Sequence, residues 1–175
     1  MRSPCHLNGN RGFTLVEVLV SLIVLSIGLL GMAKLVLVSS HSNDSAYLRA
    51  QATALGYEIL DNMRANMSAA TTHGYDSALG ATPPAATSCV GIGTVCTPSQ
   101  QASWDVYSWL QHLNAANSLG GGLPSGTGSV VTSPSVPVTA TITVQWDDSA
   151  AQCAFGPCTI GTPSYMSITL ETSLQ

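Results

Sequence analysis

One apolar run near the N-terminus dominates the pattern of the chain. Between Phe13 and Val38 the clearly polar or charged positions are Thr14, Glu17, Ser21, Ser26 and Lys34. A helix rises ~1.5 Å per residue, so this segment spans about 39 Å and exceeds a hydrocarbon core of ~30 Å. The run predicts one membrane-spanning helix with some tilt, residues 13–38.

Beyond residue 38 the apolar positions fall on one side of a helix. They recur every three or four residues at Leu48, Ala52, Leu55, Ile59 and Met63, and Asn66 continues the stripe. The polar residues Arg49, Glu58, Asp61, Asn62 and Arg64 lie off the stripe. No proline interrupts residues 13–66, so we expect one continuous helix whose second half, residues 39–66, is amphipathic and packs on another layer.

The remaining residues, 67–175, predict a small globular domain. Residues 67–102 are rich in small residues and proline and are interpreted as an irregular loop. Ser103 is a candidate N-cap for a short helix whose apolar face is Val106, Trp109, Leu110 and Leu113, and Gly120–Gly122 are expected to end it. His112 is expected on the surface of this helix.

Strand patterns occupy the last third. A short strand is expected over residues 128–132, and residues 136–146 alternate apolar and polar side chains with a period of two. Residues 165–172 predict a last strand, with Met166, Ile168 and Leu170 on one face. A long helix packed on an antiparallel sheet of three to four strands is an α+β architecture.

Charge is scarce and unevenly placed. Charged residues make up 8% of the chain, and all five Lys and Arg residues lie at or before Arg64. Phosphate-backbone recognition needs Lys and Arg, so the domain is not expected to bind nucleic acid by itself. The pair Asp147-Asp148 is interpreted as a turn, because two carboxylates fall short of the six to eight oxygens that calcium takes.

Of the five cysteines, four lie beyond the apolar run: Cys89, Cys96, Cys153 and Cys158. In an oxidising compartment an even number indicates disulfides, and three pairings are possible. We favour the two local pairs, Cys89–Cys96 and Cys153–Cys158, each contributing about 2 kcal/mol by the chain-entropy estimate. The alternative is a zinc site, although the spacing of the first pair is wider than zinc clusters use.

Arg2 and Arg11 precede the apolar run and favour a cytoplasmic N-terminus, with everything after Lys34 outside. The run is too long for a secretory signal, and no small-residue cleavage site follows it. Glu17 is an unusual feature, because a carboxylate in a spanning helix costs ~2.5–3.5 kcal/mol at mid-membrane. Either it has a function, or it lies close enough to the interface to reach water.

The sequence Gly12-Phe13-Thr14-Leu15-Val16-Glu17 resembles the leader-peptidase site of type IV pilins and of the pseudopilins of type II secretion. Residues 17–31 and 60–66 are similar to a group of minor pilins within that family. The resemblance covers the first 66 residues well and is thin afterwards.

The resemblance implies a role for three residues. Residues 1–12 would be a leader cut off between Gly12 and Phe13 by a prepilin peptidase, Phe13 would be N-methylated, and Glu17 would act in assembly. It also implies the pilin fold, no cofactor, an inner-membrane location with a periplasmic domain, and partners among other minor and major pilin subunits and the assembly machinery.

Three functions are therefore compared. The first is a minor pilin that enters or primes a pilus, and the second is a minor pseudopilin of a type II secretion system. The third is a membrane-anchored enzyme, which is disfavoured because the sequence lacks a nucleophile elbow, a phosphate loop and a His-Glu-x-x-His metal motif. His73 and Tyr75 could suggest a site, but nothing in the sequence joins them.

Overall fold

The computed structural model describes residues 12–85, 88–91, 93–114, 122–149 and 162–174. The elements in chain order are α1 (Leu15–Ala65), α2 (Met67–Ala70), α3 (Pro98–Leu113), β1 (Thr127–Thr132), β2 (Val138–Asp147) and β3 (Tyr165–Leu174). The predicted α+β architecture, a long N-terminal helix packed on a small antiparallel sheet, is confirmed. The chain divides into two compact units after Ser40, and α1 contributes residues to both.

The second half of α1 buries the predicted stripe. Ala52, Ile59 and Met63 are fully buried, while Leu48 and Leu55 are half-buried against the core. Gly56 and Leu60 are also buried. A Cβ atom at Gly56 would lie 2.8 Å from Cδ1 of Leu170 in β3, so glycine lets the helix backbone approach the sheet closely.

The start of α3 corrects the prediction that Ser103 is its N-cap. The cap is Thr97, whose hydroxyl accepts the Gln100 N–H at 3.3 Å while the Gln100 side chain accepts the Thr97 N–H at 2.9 Å. This reciprocal pair is a capping box, and Pro98 fits the first helical position because its missing N–H has no partner to lose. Ser103 lies inside the helix and donates to the Ser99 carbonyl.

Two other boundaries in this region differ from those expected from the sequence. Residues 67–70 form the short helix α2 within the stretch interpreted as irregular. Helix α3 ends at Leu113, with Asn114 as its C-cap, and not at the glycines 120–122. Its predicted apolar face is confirmed, because Val106, Trp109, Leu110 and Leu113 are all buried.

The sheet is antiparallel with the order β1-β2-β3. Strand β2 pairs with β1 from Thr127↔Gln145 to Thr132↔Ala140 and with β3 along ten residues. The alternation predicted for β2 is confirmed, since its inward side chains Ala140, Ile142, Val144 and Trp146 are fully buried. β2 begins at Val138, two residues later than expected, and β3 extends to Leu174, two residues further.

The core lies where α1, α3 and the sheet meet. Trp109 is fully buried and its indole N–H donates to the Leu55 carbonyl at 2.8 Å, which ties α3 to α1. Gly126, directly before β1, and Gly128, within it, allow β1 to pack closely against α3. A Cβ atom at Gly128 would contact the Trp109 indole, and one at Gly126 would contact the Leu113 backbone carbonyl.

We predict that Gly126→Ala lowers the free energy of unfolding by about 2 kcal/mol or more, as overpacking typically does. The obstacle is the Leu113 backbone, which cannot rotate away. Urea unfolding followed by circular dichroism measures the change. Gly56→Ala is the matched control: its obstacle is the flexible end of Leu170, and alanine recovers up to ~1 kcal/mol of helix propensity. Equal losses in the two variants would show that the Leu113 backbone is no more rigid an obstacle than the Leu170 side chain.

Candidate functional site

The N-terminal motif lies at the first turn of α1. The Thr14 hydroxyl accepts the Glu17 N–H at 3.3 Å, and the Thr14 carbonyl accepts the N–H groups of Glu17 at 3.1 Å and Val18 at 3.3 Å. Threonine followed three residues later by glutamate has the spacing of a capping box. A carboxylate in the first turn is also favoured by the helix dipole. Glu17 is thus compatible with a purely local role in starting the helix.

Gly12 and Phe13 precede this turn and are both exposed. A Cβ atom added at Gly12 would have no atom within 4 Å, and Phe13 is 82% exposed. The fold of the described residues therefore gives no steric reason for glycine at position 12 or for an aromatic ring at position 13.

The first half of α1 exposes apolar side chains all round. Every large apolar residue from Phe13 to Leu37 is between 48% and 82% exposed. By length and composition this helix is able to cross a membrane, and none of its apolar window is buried within the chain. A contiguous apolar surface of this kind marks a membrane or protein interaction site.

The serine hydroxyls in this half are satisfied within the helix. Those of Ser21 and Ser26 donate to the carbonyls of Val18 and Ile23, each at 2.8 Å. In a hydrocarbon environment an unpaired polar group costs several kcal/mol, so internal pairing of this type suits a spanning helix. A Cβ atom added at Gly28 or Gly31 would meet no atom within 4 Å outside the helix backbone, so both glycines lie on an open surface.

The cysteine predictions fall into two parts. Cys89 and Cys96 form a disulfide with Cα atoms 5.9 Å apart. The pair Cys153 and Cys158 lies outside the described residues, and its pairing stays a prediction. Within the described part of the chain, no three His, Cys, Asp or Glu side chains are placed to hold a metal ion.

Asp147 and Asp148 have separate roles at the end of β2. One Asp147 oxygen accepts the N–H groups of Ser149 at 2.9 Å and Ser164 at 3.2 Å. These bonds, that of Ser149 first, hold the pKa of Asp147 below its usual value. Asp148 is buried and accepts the Ser45 hydroxyl at 2.8 Å, and so links the sheet to α1.

His73 and Tyr75, which nothing in the sequence joins, each contact a residue that is distant in the sequence. His73 Nδ1 lies 3.0 Å from an Asp76 carboxylate oxygen and 2.6 Å from the Thr132 hydroxyl. Tyr75 is fully buried and its hydroxyl donates to Asp105 at 2.7 Å. The two residues belong to different clusters, so they do not form one site.

Asp105 has a buried carboxylate held by neutral donors. Besides Tyr75, the Gln101 side-chain amide donates to it at 2.6 Å. The Tyr75 hydroxyl also lies 3.1 Å from the Asn62 carbonyl of α1. Burial, and then the hydrogen bond to Asp105, raise the pKa of Tyr75 well above its usual value. This cluster joins α1, α3 and the segment between them.

The polar residues near the end of α1 also make defined contacts. Arg64 and Asp61 form an ion pair at 3.3 Å on the exposed surface. The Asn66 side chain donates to the Pro98 carbonyl at the start of α3. His112 is exposed, as predicted, and its Nδ1 lies 3.0 Å from a Glu58 carboxylate oxygen. Each contact joins or stabilises elements of the domain.

Comparison with protein families identifies one segment. A model described as the prokaryotic N-terminal methylation motif matches residues 7–33, which include Gly12, Phe13 and Glu17. Neither the curated proteins nor the solved structures include a significant match to the chain. The motif and the α+β fold support a type IV pilin-like or pseudopilin subunit. Proteins of this kind are structural, and a leader of this type implies processing by a prepilin peptidase. They also support membrane anchoring through α1.

We predict that Tyr75→Phe lowers the free energy of unfolding at pH 7 by about 1.5–3 kcal/mol, the usual worth of a hydrogen bond to a charged group. Because the folded-state pKa of Tyr75 is raised, this contribution is complete below about pH 10 and declines as the pH rises further. The difference in the free energy of unfolding between the wild type and Tyr75→Phe should therefore be smaller at about pH 11 than at pH 7.

Urea unfolding at the two pH values tests this expectation, with the disulfide kept intact. Tyr57→Phe is the control, because Tyr57 is 49% exposed and removal of its hydroxyl should change the free energy of unfolding little. A gap between wild type and Tyr75→Phe that stays constant or widens with pH would contradict the role given to Tyr75.

Proposed function

We propose that the chain is a minor pilin of a type IV pilus. In this proposal a prepilin peptidase cuts between Gly12 and Phe13 and methylates the new amine of Phe13. The subunit remains in the inner membrane through residues 13–38, with its domain in the periplasm, and then enters or primes the filament. The observation that carries the proposal is the methylation motif at the junction of a basic leader and a helix whose first half exposes apolar side chains all round.

The surroundings of Gly12 support the proposed cleavage site. A Cβ atom at position 12 would meet no atom of the described chain within 4 Å, apart from its chain neighbours. A glycine without a structural reason, directly before the apolar helix, fits recognition by a peptidase whose active site needs close access to the backbone. Phe13 is also exposed, so burial within the described chain does not account for its aromatic ring.

The proposed role of Glu17 is electrostatic. Cleavage gives Phe13 a positive amine, and Glu17 lies four residues further, ~6 Å along the helix axis. A carboxylate at this depth is poorly solvated, and an amine from a neighbouring subunit would compensate its charge. Such a pair fixes axial register between helices, as a buried polar residue does in a coiled coil. Pairing with Phe13 of the same subunit is the competing arrangement.

Within the family we favour the minor pilins known as type IV pilus modification protein PilV. The reasons are the similarity of residues 17–31 and of Leu60-Asp61-Asn62-Met63-Arg64-Ala65-Asn66 to that group. A minor pseudopilin of type II secretion is the alternative, because the leader chemistry is the same. The expected partners are other pilin subunits and the inner-membrane assembly machinery, and no enzymatic role is proposed.

We predict that Glu17→Ala leaves membrane insertion and cleavage nearly intact but reduces entry into the filament at least tenfold, which corresponds to the loss of roughly 1.4 kcal/mol of pairing free energy. Glu17→Asp should be partly impaired, because its carboxylate is shorter by one methylene. The measurement compares the amount of this subunit in sheared fibres with the amount left in the inner membrane.

Ser21→Ala serves as the matched control for Glu17→Ala. Its hydroxyl is one turn deeper and already bonded to the Val18 carbonyl, so its removal should not change incorporation. Normal incorporation of the alanine variant at position 17 would show that Glu17 only caps the helix and reaches water.

A further inference from the structure

The two edge strands of the sheet differ in whether another segment of the chain covers them. At the β1 edge, Ser77 and Val130 exchange two backbone hydrogen bonds, each at 2.9 Å. The Gly80 N–H donates to the Thr127 hydroxyl at 3.1 Å, and the Thr132 N–H donates to Asp76 at 3.0 Å. The segment 76–80 therefore covers this edge along its length.

The β3 edge has no such cover. In the described part of the chain β2 is the sole strand paired with β3, and the two strands pair from Val138↔Leu174 to Asp147↔Tyr165. On the opposite side of β3, every second residue directs its N–H and C=O away from β2. β3 contains no proline and no lysine, the residues that commonly protect an edge from pairing with another chain.

The apolar inner face of the sheet is also incompletely covered at β3. Ile142 and Val144 of β2 are fully buried, whereas their partners Leu170 and Ile168 on β3 are only half-buried. Met166, opposite the fully buried Trp146, is half-buried as well. A further strand at this edge would cover these apolar side chains if its own inward residues were apolar.

Glu171 gives the edge a specific charge. It is the single charged residue of β3, it is exposed, and it forms no ion pair in the described part of the chain. A shallow cavity of about 310 Å³ lies beside it on the outer face of the sheet, lined also by Thr139, Thr141 and Ser173. A carboxylate next to three hydroxyls suits a lysine or arginine side chain.

The charge distribution excludes a β3 strand of a second copy as the complement of Glu171. The chain has no Lys or Arg after Arg64, and Lys34, Arg49 and Arg64 all lie in α1. No extended segment of the described domain therefore brings a basic side chain to this edge. Charge complementarity points to a different protein.

We propose that β3 is a docking edge for an extended segment of another protein, which adds to the sheet as a fourth strand. The segment alternates apolar side chains, which cover Met166, Ile168 and Leu170, with uncharged polar ones, and it carries one Lys or Arg opposite Glu171. Main-chain hydrogen bonds supply affinity, and the alternating side chains together with the basic residue supply specificity.

The test uses the full chain in detergent micelles and two synthetic peptides of about nine residues, enough to pair with most of a strand. Threonine and valine alternate in both peptides, with arginine at the central threonine position of one and glutamate at that position of the other. The arginine peptide should bind and slow amide hydrogen exchange in β3 but not in β1. Glu171→Lys should weaken its binding about three- to fivefold and should reverse the preference toward the glutamate peptide.

Val131→Lys is the matched control. Val131 is exposed on the outer face of β1 and lies in the same row as Glu171, with Thr141 between them. This variant should bind both peptides as the wild type does.

Three results of the peptide experiment would overturn the proposal. They are failure of the arginine peptide to bind the wild type, binding of both peptides with no response to Glu171→Lys, and protection of β1 in place of β3. Protection of the β3 amides by self-association without peptide, measured together with sedimentation, would assign the edge to a second copy and contradict the proposal.

Discussion

The structure depends on one helix whose two halves have different surfaces. In α1 the first half exposes apolar side chains all round, and the second half buries a single stripe that includes Ala52, Ile59 and Met63. Burial of apolar surface is worth about 25 cal/mol per Å², so the exposed half gains much from a membrane or from neighbouring helices. The amphipathic half supplies the layer on which α3 and the sheet pack.

The domain is held on this helix mainly by apolar packing, together with a few hydrogen bonds. The Trp109 indole bonds to the Leu55 carbonyl, Asp148 accepts the Ser45 hydroxyl, and Tyr75 with Asp105 reaches the end of α1. These links join elements far apart in sequence. They give the small, weakly charged domain a defined arrangement on the second half of α1 that apolar contacts alone would specify less well.

Features that depend on a local pattern in the sequence, such as periodicity or fixed spacing, could be predicted. The stripe on α1, the alternation of β2 and the face of α3 follow from periodicity, and the methylation motif follows from fixed spacing at the leader. The start of α3 could not be found from periodicity, because its first turn, Pro98-Ser99-Gln100-Gln101, has no apolar face, although Thr97 and Gln100 have capping-box spacing. Contacts such as Tyr75 with Asp105 could not be predicted, because they depend on how separate segments pack. The open edge of β3 is likewise a property of the assembled sheet.

The most direct test of the proposed function is the mass of the N-terminal peptide of the protein purified from its native membrane. We expect that the chain begins at Phe13 and that its amine carries a single methyl group. Gly12→Leu should retain residues 1–12 and leave the amine unmodified. A wild-type chain that still begins at Met1, or one cut after residue 38, would contradict processing at Gly12 and with it the proposed function.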